Sequence, residues 1–169
     1  LLSPFSITPQ TVVLVGHSIG GGVATEIAAA LPGVHICNDR SFGSLSLVAR
    51  HTLLGQAVLA SDHWFHEALK WGTVALIKYV TTWELDAVTL WPSIKGSKWC
   101  SGLAGDVIIP VPCQLYTQLQ ALPISAAQRG KVLVLAPGGD AHNRPWTLPE
   151  LLRHLRFIGE AVEVVEAER

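Results

Sequence analysis

The sequence predicts an α/β protein in which a mostly parallel sheet of about four strands is flanked by helices. Three observations carry this. Short apolar, β-branched runs alternate with longer stretches of helical period. The first run, Thr11–Val15, passes through Gly16-His17-Ser18-Ile19-Gly20 straight into an Ala-rich helix pattern, which reads as strand, sharp turn, helix. Hydrophobic residues make up 49% of the chain and charged residues only 15%, so most elements should be buried on more than one side. With 169 residues the chain is one ordinary domain, long enough for a real core.

Residues 1–10, with Pro4 and Pro9, form an extended lead-in to the first strand. Gly20–Leu31 is the helix behind the turn. It carries Val23, Ile27 and Leu31 one turn apart, with small residues elsewhere that let it lie close under the sheet. Pro32-Gly33 stops it, and Val34–Cys37 is a short buried strand that ends in the polar run Asn38-Asp39-Arg40-Ser41. From Ser44 to Val80 the pattern is helical with a break near Ala60, where Ser61 or Asp62 suits an N-cap. The second of these helices, over 63–80, is apolar nearly all round, unlike a simple surface helix. Its His63 and His66 stand three apart with Glu67 beside them, but no second ligand pair completes a metal site, and none is expected.

Thr82–Trp91 holds Glu84 and Asp86 in a short element, as pocket-lining or as capping carboxylates. Lys98–Ala104 is the next strand, Cys113–Leu122 a helix and Lys131–Ala136 the last strand. Thr147-Leu148-Pro149-Glu150 has the spacing of a capping box. The helix it opens should bury Leu151, Leu155, Ile158 and Val162 and fray over its charged tail, 160–169.

Composition excludes several function classes. A net charge of −1 without a basic run argues against nucleic acid or an anionic membrane as partner. The sequence lacks an uncharged apolar run of the roughly 18 residues that a spanning helix needs. Cys37, Cys100 and Cys113 are odd in number and lack C-x-x-C spacing, so buried reduced thiols are expected, which fits a cytoplasmic setting.

The chemistry points to Ser18. A serine on such a turn is strained and needs small neighbours, which Gly16 and Gly20 supply two residues to either side. The turn lifts the hydroxyl clear of the sheet and aims the first amides of the next helix at whatever lies over it. Two other glycine loops fail on their chemistry. A phosphate-binding loop needs Lys and then Ser or Thr after its last glycine, and Val23-Ala24 follow here. A dinucleotide fingerprint needs a third glycine or alanine where Thr25 stands.

This stretch resembles the nucleophile elbow, G-x-S-x-G, of the α/β-hydrolase superfamily, and the resemblance extends over roughly residues 11–157. It implies a Ser-His-Asp triad in that chain order. Gly105-Asp106-Val107-Ile108-Ile109-Pro110 is similar to the family's acid-bearing turn, which makes Asp106 the acid, with a capping or loop Asp as the plainer reading. His142, in the glycine-rich loop after the last strand, becomes the base, and the Ile19 backbone N–H the oxyanion donor. Asp39 is the alternative acid, because some members carry theirs after that strand; otherwise it caps the next helix or pairs with Arg40. His17 packs beside Ser18, and His154 is structural or exposed.

On this resemblance, residues 1–43 and 93–169 form a partial hydrolase core, and 44–92 either a helical cap over the site or helices packed on the sheet. The segments Asn38–Phe42, Trp83–Asp86 and Asp106–Pro110 also look like uncharacterised hydrolase-type proteins of intracellular bacteria. The family places further strands, and a second oxyanion donor, ahead of the elbow, and the chain, without a methionine, is expected to be the later part of such a protein. The implied activity is hydrolysis of an ester, thioester or similar acyl bond of a small molecule with no cofactor, and a cap with an apolar inner side would favour an apolar substrate. The alternatives are an acyltransferase using the same triad, or a non-catalytic binding protein or inactive fragment on this fold.

Overall fold

The computed structural model describes residues 7–52, 84–136 and 142–167, with positions 68, 71, 72, 75 and 79, and side chains only as far as residue 160 in the last stretch. The start of the lead-in, most of the helix expected over 63–80 with His63 and His66, the Ser61 and Asp62 cap, and the glycines at 138 and 139 lie outside the described residues.

Four strands, β1 (Val13–His17), β2 (His35–Asp39), β3 (Lys98–Leu103) and β4 (Lys131–Leu135), form one parallel sheet in the order β1-β2-β3-β4. Parallel neighbours need a crossover, and helices occupy the connections: α1 (Ile19–Ala30), α2 (Leu45–Thr52), α3 (Ala87–Leu90), α4 (Leu115–Ala121) and α5 (Ala126–Arg129), with α6 (Leu148–Ala167) after β4. The chain is thus of the α/β class, as its pattern predicts. Among the described residues no helix is long and apolar enough to cross a membrane.

The alternation of side chains along β2 and β3 sorts the core into two layers. Ile36 and Cys100 face Ala24 and Ala28 of α1, Trp91, and Leu115 and Leu119 of α4. Cys37 and Trp99 face Phe157 of α6 on the other side. Helix α1 turns its small residues to the sheet, with Gly21, Gly22, Ala24, Thr25 and Ala28 buried. Its aliphatic stripe points outward, so Val23, Ile27 and Leu31 are 41–49% exposed.

Helix α6 corrects its expected face. His154 and Phe157 are buried, whereas Leu151 and Leu155 are exposed. The sheet surface it covers is Trp99 and Cys37, and the helix turns to stack Phe157 on Trp99 and to bring His154 Nδ1 within 2.9 Å of the Cys37 thiol. Burial holds that imidazole below its usual range and that thiol above its own, so both are neutral. Asp86 proves to be a cap, accepting from the Thr89 amide at 3.2 Å at the start of α3.

The register matters for the site. His17 lies beside Asp39 across β1 and β2, and Asp39 beside Ser101 across β2 and β3, so three polar side chains meet at the carboxyl edge of the sheet.

Candidate active site

Ser18 sits between the last residue of β1 and the first of α1 with φ 53° and ψ −123°, a conformation that non-glycine residues adopt only when the surroundings impose it. The tightness comes from Gly16: a Cβ there would run into the Gly20 carbonyl and lie 2.7 Å from Gly21 Cα. Gly20 differs from its expected role, because a Cβ at that position meets nothing within 4 Å. Its backbone, and not its missing side chain, is what the turn uses. The Ile19 amide is the first of α1, and first-turn amides have no partner within their helix.

Asp106 follows β3 in a turn whose Ile108 and Ile109 amides donate to its Oδ1 at 2.8 and 3.0 Å. That leaves Oδ2 for His142, whose Nδ1–H donates to it at 2.7 Å. A carboxylate only accepts, so Nδ1 carries the proton and Nε2 is the acceptor, to which Ser18 Oγ donates at 2.9 Å. Asp106 and His142 are 6% and 3% exposed, which shields both bonds from water. The order Ser18, Asp106, His142 expected from the sequence is therefore one continuous hydrogen-bonded chain.

Asp39 is engaged elsewhere. It accepts from Arg40 Nε and Nη2, at 3.0 and 2.8 Å, from Ser101 Oγ, and from His17 Nδ1 at 3.0 Å. Burial would raise its carboxyl, but the hydrogen bonds from Arg40, Ser101 and His17 and the guanidinium charge outweigh it and hold the carboxyl below its usual range. Of the three readings of Asp39, the pairing with Arg40 is the one seen, and His142 is bonded to Asp106 instead. Arg40 takes a left-handed backbone, φ 47°, while almost completely buried. Its Nη1 donates to the Arg144 carbonyl at 2.6 Å, which fastens the histidine loop to the end of β2.

Arg144 clips the same loop from outside. It donates to both oxygens of Glu150, at 2.8 and 2.7 Å, and to the Ala136 carbonyl at 3.2 Å, tying the loop's two ends together. Glu150 also accepts from the Thr147 amide at 2.7 Å, the expected capping contact. The Arg144 hydrogen bonds bring its carboxyl down to about 2.

Sequence reasoning offered the Asp39–Arg40 pair but missed the bonds that His17 and Ser101 make to Asp39. The parts were visible as a polar strand end, but the bond from His17 to Asp39 depends on the two strands ending in the same register. A shift of one residue would turn Asp39 to the other face. The rings of His17 and His142 lie 5.2 Å apart, centroid to centroid, tilted by 43°.

No protein-family model matches the chain, and no curated protein matches it in sequence. Among solved structures the chain is similar to VinJ, with 14% identity and a TM-score of 0.44 over 92% of this chain, and it spans 65% of the length of that protein.

Proposed function

We propose that the chain is a serine hydrolase of the α/β-hydrolase superfamily acting on an ester, thioester or similar acyl bond. The observation that carries this reading is the closed chain from Asp106 through His142 to Ser18, with bonds of 2.7 and 2.9 Å, ending on a serine held at positive φ. Simple capping of a loop accounts for Asp106 but not for that chain.

In this reading Ser18 Oγ attacks the acyl carbon as His142 Nε2 takes its proton. Asp106 keeps His142 in the productive tautomer and stabilises the imidazolium that forms. The Ile19 amide donates to the oxyanion at the positive end of α1. His142 then returns the proton to the leaving group, and water releases the acyl group from Ser18. Ile19, Val107 and Ile108, next in sequence to Ser18 and Asp106, are each more than half exposed, which favours an apolar acyl chain.

The test is turnover of 4-nitrophenyl esters of increasing chain length by the wild-type chain and Ser18→Ala, with mass mapping of the acylated peptide. Acyl groups on the peptide carrying Ser18 and turnover abolished by Ser18→Ala are expected. Turnover that survives Ser18→Ala would overturn the reading.

A further inference from the structure

His17 stands at this edge beside His142, and the mechanism above gives it no step. Its Nδ1–H is fixed on Asp39, which is buried, while the His17 side chain is 40% exposed, so Nε2 is the ring nitrogen that Asp39 does not take up. Among the described residues, the groups in contact with His17 are Asp39, matched by Arg40 and bonded to Ser101, and His142, which is bonded to Asp106. With Nδ1–H donated to Asp39, the other nitrogen of the singly protonated ring, Nε2, is a hydrogen-bond acceptor. The two ring centroids are 5.2 Å apart, a separation on the scale that a single bridging water covers with two hydrogen bonds of about 2.8 Å.

We infer that His17 is the second anchor of the deacylating water, and this rests on the acyl-enzyme reading above. In the acyl-enzyme, Ser18 no longer donates to His142, so both imidazoles offer an acceptor nitrogen toward the same space. Water has two O–H groups and satisfies both. Its oxygen attacks the acyl carbon as one proton passes to His142 Nε2 and on to the departing Ser18 Oγ. The other O–H, held by His17 Nε2, remains with the product acid. An alcohol has a single O–H and leaves one imidazole without a partner. The pair thus selects nucleophiles with two donor hydrogens, water or a primary amine, over alcohols, and sets hydrolysis ahead of transfer to hydroxyl acceptors.

The test uses 4-nitrophenyl acetate in water–methanol mixtures, with a fluorophosphonate as the readout of serine attack alone. His17→Phe keeps a ring without nitrogen, and His17→Asn, too short to span, is the second variant. Both should label with fluorophosphonate within about threefold of the wild-type rate, while the ratio of methyl acetate to acetate rises roughly tenfold and acylated Ser18 accumulates. An unchanged product ratio in either folded variant would overturn the water site while leaving the triad reading intact. Labelling that falls in step with turnover would make His17 a structural residue only. A folded wild-type chain that does not label at Ser18 would overturn the triad reading and the water site together.

Discussion

Asp106 and Asp39 are both buried at the carboxyl edge of the sheet and both hold a histidine by Nδ1, yet their surroundings differ in kind. Asp106 is solvated by two backbone amides, which carry no net charge, so its field remains available to an imidazolium on His142. Asp39 is matched by the Arg40 guanidinium at 2.8 Å, so its charge is spent before it reaches His17. In the proposed mechanism one carboxylate supports a base, while the other only fixes a tautomer. The fold separates the roles by what sits behind each carboxylate, amides in one case and a cation in the other.

Exchanging these environments should break the contrast, most severely at Asp106. Asp106→Asn loses the field and the tautomer together, and turnover of 4-nitrophenyl acetate should fall by about 10⁴ with the fold retained by circular dichroism. At the other carboxylate the cost is stability. Arg40→Leu leaves Asp39 as an unmatched buried charge and should cost about 3–5 kcal/mol in urea unfolding, most of which Asp39→Leu added to it restores.

The sign of the pH dependence follows from the lowered Asp39 carboxyl. Its contribution to stability is complete above the ordinary aspartate value near ~4 and is lost as pH falls through the lower folded value. Wild-type stability should therefore drop across that acid window, and the same urea titration on Asp39→Leu/Arg40→Leu should show a shallower fall.

The elbow offers a smaller effect. Gly16→Ala must push the Gly20 backbone aside and should cost about 1–3 kcal/mol and most of the labelling at Ser18, whereas Gly20→Ala, facing open space, should retain both. Smallest is Glu150→Gln, which weakens the Arg144 clip on the histidine loop. A fewfold loss of turnover with an unfolding free energy lowered by less than about 1 kcal/mol is expected.

These contrasts show which features a sequence carries. The strand, turn and helix around Ser18 were legible because strained turns have few residue solutions, and Asp106 and His142 were legible from chain order and strand ends. The buried face of α6 was not. Its leucines suggest one stripe, but the helix rotates to meet Trp99 and Cys37, partners more than fifty residues away whose shape the α6 pattern does not encode. The Asp39–Arg40 pair was among the readings of the sequence, but the bonds from His17 and Ser101 to Asp39 were not, since a one-residue register decides them. Gly20 stood in the right place for a different reason from the one its residue type implied.

The most direct measurement of the account is the rate of fluorophosphonate labelling of Ser18 in the folded wild-type chain beside Asp106→Asn and His17→Phe. The account predicts labelling of the wild-type chain, a loss of several orders of magnitude in Asp106→Asn and a rate within about threefold in His17→Phe. Equal losses in the two variants, or a folded wild-type chain that does not label, would contradict it.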